Sequence, residues 1–345
     1  MSEAVKPMLD LLRGKPVSRA PLWLMRQAGR YLPEYRALRS KAEDFLNLCL
    51  TPEWATEITL QPIRRFGFDA AIIFADILLI PLALGQKLEF RQGEGPVLEP
   101  IEEKNFSSHF SYSEDKVAAV FETVRLVKKQ LPSSTSLIGF CGSPWTVACY
   151  MIDGTSRTGF TEAKLWAKEK TPALEILIQT LIGASDRYLS AQIEAGADII
   201  QLFDSWSGLL EGEDFQRWII EPTRQLVARI NEKYPHVPVI GFPREAGKHY
   251  IDYCHKTGVD GVSIDQSVDL NYARSELRPI KLLQGNLDPE LLVEGGEAMQ
   301  EGARKILNAL GPNHIFNLGH GVLQQTPVEH VSDLVQFVRN WQPTG

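Results

Sequence analysis

The stretch FGFDAAIIFAD, residues 66–76, holds a glycine, an aspartate two positions later, an apolar run and a closing acid. The order recurs twice. AGADIIQLFDS spans 195–205 and TGVDGVSID spans 257–265, so Gly67, Gly196 and Gly258 stand in equivalent places. A glycine there supplies the left-handed conformation that ends a helix. The following run is apolar on both faces, as in a strand of a buried parallel sheet. The polar residue that closes it sits at the strand exit. Helix, turn, strand and exit residue, repeated, is the rhythm of an α/β protein.

Around these three, further strands are expected at 21–25, 136–142, 237–242, 281–286 and 314–319, which with 69–75, 198–204 and 260–264 makes eight. Helical spacing falls at 53–66, 114–130, 161–195, 213–233 and 290–309. A last helix is expected over 327–341, with Thr326 as cap and Pro327 as first residue. Eight strands alternating with helices predict a single (β/α)8, TIM-type barrel over 1–345, with its cleft at the C-terminal ends of the strands. A hairpin near 87–98 interrupts it. The competing doubly wound sheet calls for a glycine-rich turn after the first strand, where this chain reads MRQAGRY.

Composition narrows the function. Against 36 Lys and Arg stand 43 Asp and Glu, a net charge of −7, which argues against a general nucleic-acid binder. Cys49, Cys141, Cys149 and Cys254 form no CxxC pair and no disulfide framework. Glu3 and Asp10 interrupt the N-terminal segment, unlike a secretory signal. The most apolar stretch is broken by Asp76 and Pro81, short of the ~18 residues of a membrane span. A cytoplasmic protein bound neither to membrane nor to nucleic acid is expected.

Within this acidic chain, Arg19, Arg26, Arg30, Arg36 and Arg39 crowd around the first strand, with Glu34 the one acid among the last four. Other exits carry Asp76, Tyr150, Asp204 and Ser205, Arg244, Asp265, Asn286 and Asp288, and His320 between two glycines. Each has a plainer reading. Asp76 and Ser205 can cap helices, Tyr150 can be core, and the arginines can be solvated surface. No GxSxG elbow surrounds Ser205, so acyl transfer is not indicated. Gathered at one mouth, they describe a cation-rich cavity for an anionic ligand.

Five stretches carry a resemblance: LWLMRQAGRYLPEYR, FADILLIPLALG, GFCGSPWTVACYMI, QLFDSW and FNLGHGV. In this order and spacing, from about residue 15 to 340, the chain resembles the uroporphyrinogen decarboxylase family. The resemblance implies loss of CO2 from the four acetates of uroporphyrinogen III, giving coproporphyrinogen III. Eight carboxylates on that tetrapyrrole would explain the arginines, whose planar fork binds a carboxylate through two hydrogen bonds. No cofactor is implied, because a ring-protonated pyrrole can itself accept the electrons left by CO2.

By the same resemblance, Asp76 faces the pyrrole N–H groups and favours the cationic intermediate. At ~4 Å and an effective dielectric near 20 that attraction is roughly 4 kcal/mol, on the order of a thousandfold in rate. Arg26 positions the reacting acetate, and either its guanidinium or a water it holds relays the proton. Gln27, Ala28 and Gly29 of the same motif contact substrate, and Arg30 and Arg39 take peripheral carboxylates. Tyr150 and Ser205 bind carboxylates or orient Asp76, His320 donates to a propionate, and Phe203 packs on a pyrrole face. The family's usual homodimer is expected on resemblance alone. Two rivals stand beside this reading. A zinc-dependent methyltransferase of the same superfamily would need a His-x-Cys, which is absent from the sequence. A non-catalytic tetrapyrrole carrier would need the arginines without Asp76.

Overall fold

The computed structural model describes residues 5–91, 93–103 and 110–342. Residues 1–4, 104–109 and 343–345 of the expected domain, and Gln92 of the expected hairpin, lie outside the described residues. Among the described residues eight strands form ladders: β1 (Ala70–Ile72), β2 (Leu88–Arg91), β3 (Gly95–Leu98), β4 (Ser136–Gly142), β5 (Ile199–Asp204), β6 (Val239–Pro243), β7 (Gly261–Ser263) and β8 (Leu282–Gln284). Six make one parallel sheet in the order β1-β4-β5-β6-β7-β8, and β2 and β3 pair antiparallel as the expected hairpin. Every residue of β4, β5 and β6 is buried, as the apolar runs foretold.

The sheet is curled. Gln284 of β8 donates through Nε2 to Gln201 Oε1 of β5 at 3.2 Å and to Ser263 Oγ of β7 at 2.7 Å. In a flat sheet β5 and β8 would stand about 14 Å apart, three strand spacings. Only a sheet bent around this polar layer brings the two glutamines together. Trp23 joins the layer, its Nε1–H donating to Gln284 Oε1 at 2.9 Å.

The expected strands 21–25 and 314–319 do not form ladders. They make isolated parallel bridges instead, Gln284 to Ile315, Leu287 to Leu318 and Leu22 to Phe316. Prolines and glycines account for part of this, since Pro21 lacks a donor and Gly319 has no room for a Cβ beside the Gln266 backbone.

The repeated glycine and aspartate have distinct jobs. Gly67, Gly196 and Gly258 all take positive φ, at 67°, 122° and 79°, where each helix stops. The aspartate two residues on clasps the strand before it. Asp69 N–H donates to Leu22 O at 2.9 Å, and its Oδ2 accepts the Leu22 N–H at 2.8 Å. Asp198 does the same to Leu137, and Asp260 to Val239. These clasps lie at the strand starts, opposite the mouth where the exits collect.

Helix boundaries depart from expectation where proline or glycine intervenes. The 161–195 helix breaks at Lys170 before Pro172, giving Thr161–Glu169 and Thr171–Ala195. The 213–233 helix contains a wide π turn at Gln216–Ile220, just ahead of Pro222. The 290–309 helix divides at Gly295. The last helix runs Val328–Asn340, and the Thr326 hydroxyl, buried without a partner among the described residues, does not cap it.

Asp69 joins a ladder strand to a segment that has no ladder of its own, and a bidentate pair with Arg19 (2.6 and 2.7 Å) anchors it. Asp69→Ala therefore leaves the Arg19 guanidinium and the Leu22 N–H unpaired, and should cost about 3 kcal/mol in urea unfolding. Arg26 follows four residues after Leu22, so loosening this clasp should also lower the activity of the folded fraction below wild type.

Candidate active site

The segment after Leu22 is built to place one side chain. Gln27 N–H donates to Leu24 O at 2.9 Å, closing a tight turn, and the Gln27 amide locks it. Its Oε1 accepts the Leu24 N–H at 3.2 Å and its Nε2 donates to Ala70 O at 3.1 Å. Met25 is tied to Asn317 Oδ1 through its N–H and to Val322 N–H through its carbonyl, both at 2.9 Å. Arg26 occupies the third position of this turn at φ 59°, a conformation usually left to glycine. A β-carbon on Gly321 would stand 2.3 Å from Arg26 Cδ, so the Arg26 stem lies directly on the strand-exit glycine. The other glycine beside His320, Gly319, is equally constrained, because a Cβ there would meet the Gln266 N at 2.2 Å.

Asp76, Tyr150, Arg244 and His320 all lie within electrostatic reach of Arg26. Among the described residues the Asp76 carboxylate accepts one hydrogen bond, from Leu78 N–H at 2.8 Å. Its residue is partly open toward the mouth while the walls withdraw it from bulk water. Burial pushes its pKa up to about 6, against the pull of the Leu78 N–H and of Arg26. Burial also lowers the Arg26 guanidinium from its ordinary value, with Asp76 and Tyr150 opposing and Arg244 reinforcing. Arg26 is open to solvent by surface area, yet protein crowds out much of the water around it. Burial raises the Tyr150 phenol, partly offset by the Trp206 and Ser156 side chains. His320 falls to about 3, first through burial and then through Arg26 and Arg244, so its ring is neutral at pH 7. Its Nδ1 is buried without a partner among the described residues.

The floor is aromatic. Phe203 of β5 packs edge-on against Phe140 of β4 at 5.5 Å and Phe242 of β6 at 6.4 Å. Tyr150 packs edge-on against Phe160 at 5.2 Å, and Phe160 against Trp206 at 4.8 Å, making one wall. Ser205 is half-buried at the β5 exit, and its hydroxyl makes no hydrogen bond among the described residues.

Not every arginine serves the mouth. Arg19 is consumed by Asp69 at the far end of the strand, and Arg36 donates to the Arg30 and Tyr31 carbonyls at 2.8 and 2.9 Å. Arg30 is exposed and its guanidinium donates to Gln324 Oε1 at 3.3 Å, while Arg39 donates to Ala42 O at 3.2 Å. The side-chain amide of Gln27 spends one N–H and one oxygen lone pair on backbone. The backbone N–H groups of Ala28, Gly29 and Arg30, by contrast, make no hydrogen bond among the described residues.

Two strand-exit acids face elsewhere. Asp265 accepts from Glu245 N–H, Tyr250 OH, Ser267 N–H and Ser267 Oγ at 2.7, 2.8, 2.9 and 2.5 Å. Burial alone would raise it, but these bonds outweigh burial and hold it below the usual carboxylate range. Asp204 lies under the helix layer, accepting from Thr146 Oγ1 at 2.6 Å. The residue that the sequence reading left out of its site is Arg244, although its strand-exit position was visible.

A family profile described as uroporphyrinogen decarboxylase matches residues 4–341. The uroporphyrinogen decarboxylase of Rhodospirillum rubrum is 49% identical over 341 residues, 98% of each chain. That of Granulibacter bethesdensis is 50% identical over 339 residues, covering 97% of this chain and 99% of the relative. Among solved structures, a methyltransferase from Methanosarcina mazei superposes with a TM-score of 0.79 at 18% identity, over 98% of this chain and 99% of that one. That likeness is one of fold.

A carboxyl whose folded pKa lies above its unfolded value costs stability once it ionises. Between the ordinary carboxylate pKa and about 6 the folded state holds the extra proton, so Asp76 lowers stability as pH rises through that window. Asp76→Asn should raise Tm at pH 7.5 by roughly 2 °C or more. Thermal melts at pH 4 should show that gain shrinking.

Proposed function

Because the chain belongs to the uroporphyrinogen decarboxylase family, we propose that the mouth around Asp76 is where uroporphyrinogen III loses its four acetate carboxyls, leaving methyls and giving coproporphyrinogen III. The protein is a carboxy-lyase of tetrapyrrole biosynthesis. The relatives favour neither the methyltransferase nor the carrier. The observation that carries the placement is Asp76, a carboxylate with one hydrogen bond in a low-dielectric mouth. Such a group has unused capacity for a cation, and the ring-protonated pyrrole is the cation formed on the way to CO2 loss. Asp76 thus binds the intermediate more strongly than the neutral substrate, which is what lowers a barrier.

Arg26 holds the reacting acetate beside Asp76, and either its guanidinium or a water it holds relays the proton. The free N–H groups of Ala28, Gly29 and Arg30, with the Arg30 and Arg39 side chains, take other carboxylates. Neutral His320 has an unpartnered Nδ1, and with Tyr150 and Ser205 it supplies neutral hydrogen bonds. Phe203 carries a pyrrole face on the aromatic floor. Pyrrole chemistry asks for no bound cofactor in this scheme. The bridged segments 21–25 and 314–319 complete the ring as the remaining two strands of a (β/α)8 barrel in one domain, supported by the Asp69 clasp on Leu22 and the Leu22–Phe316 bridge. A cytoplasmic homodimer belongs to the same reading, on resemblance to the family.

Anaerobic turnover of uroporphyrinogen III with EDTA present, followed by counting product carboxyls, tests the reaction. Wild type should pass stepwise from eight to four, and Asp76→Asn should lose two decades or more. A wild type that binds substrate without losing carboxyls would restore the carrier, and a fully active Asn variant would move the centre away from Asp76. Since Asp76 acts ionised, wild-type kcat/KM should fall as pH drops below about 6. The Asn variant should lack that limb. Gly321→Ala puts a methyl where the Arg26 stem lies, and should lower kcat/KM by roughly tenfold or more with little change in Tm.

A further inference from the structure

Arg244, at the β6 exit, is fixed along its backbone. Its N–H faces the carbonyls of Asp204 (3.2 Å) and Phe242 (3.1 Å), and its own carbonyl accepts Ser207 Oγ at 2.5 Å and Gly208 N–H at 3.2 Å. The next residue, Glu245, is held at φ 62°, with its N–H on Asp265 Oδ2 at 2.7 Å. A β-carbon on Gly208 would stand 2.6 Å from Glu245 Cβ, so the β5 and β6 loops are locked face to face. Such over-determined backbone is the setting in which a left-handed non-glycine residue persists.

The Arg244 side chain is only 19% exposed, and its positive charge reaches both Arg26 and His320. Two guanidinium groups share one mouth and repel each other. Arg244 Nε is buried without a hydrogen-bond partner among the described residues. One terminal nitrogen, Nη2, pairs with Glu245, whose side chain is 52% exposed. That contact uses half of the Nε and Nη2 edge, the edge that grips a carboxylate through two parallel bonds. An ion pair to so exposed a carboxylate is weak and readily exchanged.

We infer that Arg244 is a further carboxylate receptor for the substrate, masked by Glu245 in the free protein and engaged through its Nε and Nη2 edge when a substrate carboxylate displaces Glu245. This rests on uroporphyrinogen as the substrate. The backbone clamps mean that the receptor need not be ordered on binding, which favours affinity. Glu245 offsets the second cation of the empty site, as Asp76 offsets Arg26, and it competes with every incoming carboxylate.

The two side chains therefore have opposite predicted effects. In steady-state turnover of uroporphyrinogen, Arg244→Met should raise KM about tenfold while kcat changes much less. Arg244→Lys, which keeps the charge and loses the fork, should recover only part of that. Glu245→Gln should lower KM, and Arg244→Met/Glu245→Gln should match Arg244→Met. A wild-type KM in Arg244→Met overturns the inference. So does a raised KM in Glu245→Gln, which would make the pair a scaffold whose two halves fail alike. If Arg244→Met does not fold, the direction of the Glu245→Gln shift decides alone: KM below wild type supports the receptor, and KM equal to or above it overturns it. A wild type without turnover would instead overturn the proposed function, and this substrate with it.

Discussion

An aspartate that donates its own N–H to a residue of the preceding strand, and accepts that residue's N–H on its carboxylate, fixes two segments at one point without a ladder. Asp69, Asp198 and Asp260 do this to Leu22, Leu137 and Val239. The contact is charge-assisted and well sheltered, so it is stronger than a single amide bond. For β4 with β5, and β6 with β7, it reinforces a ladder that already exists. Between residue 22 and β1 the clasp at Asp69 stands in for the missing ladder. The turn that presents Arg26 begins two residues after Leu22, so the position of the first arginine of the mouth descends from a carboxylate at the opposite end of the strand.

That arrangement separates two demands that conflict when made of the same residues. The strand starts hold satisfied charge: Asp198 receives Lys6 and Lys128, both at 2.7 Å, and Asp69 receives both arms of Arg19. The strand exits hold buried groups without a partner among the described residues, Arg244 Nε and His320 Nδ1 among them. Unpaired polar groups cost stability, and a ligand that pairs them recovers that cost as binding. A mouth of this kind is tolerated because the other end of the sheet is over-tied.

Much of this was legible in the sequence, for identifiable reasons. The helix-ending glycines, the buried strands and the exit residues follow from local rules, and all three repeats obey them. The motif arginines were legible as a group but not one by one, because proximity in sequence does not say which end of a strand a side chain serves. Arg19 and Arg26 are seven residues apart and lie at opposite ends. The clasping role of the first aspartate was invisible for the same reason, since its partner sits 21 to 61 positions away. The breaks at Lys170 and Gly295 were signalled by Pro172 and by the paired glycines, but the apolar periodicity runs on across them. Segments 21–25 and 314–319 read as strands because they are short and largely apolar, and an apolar run alone does not make a ladder.

Three strand-end aspartates show how one residue type takes three roles, and why Asp76 is the one to place against substrate. Asp265 accepts four hydrogen bonds and is held below the usual carboxylate range, so its charge is spent on the loops it joins. Asp204 is sealed beneath the helices with one oxygen unpartnered, and burial pushes it up to about 7. Near neutral pH it is substantially protonated, and the alternation that points Gln201 and Phe203 inward turns it away from the mouth. Asp76 lies between these extremes. One backbone N–H and a nearby guanidinium leave it ionised at pH 7 but under-solvated, and of the three it is the one within electrostatic reach of both Arg26 and Tyr150. A carboxylate in that condition gains more from a cation appearing beside it than either of the others would, because the first is already paired and the second holds a proton about half of the time at pH 7.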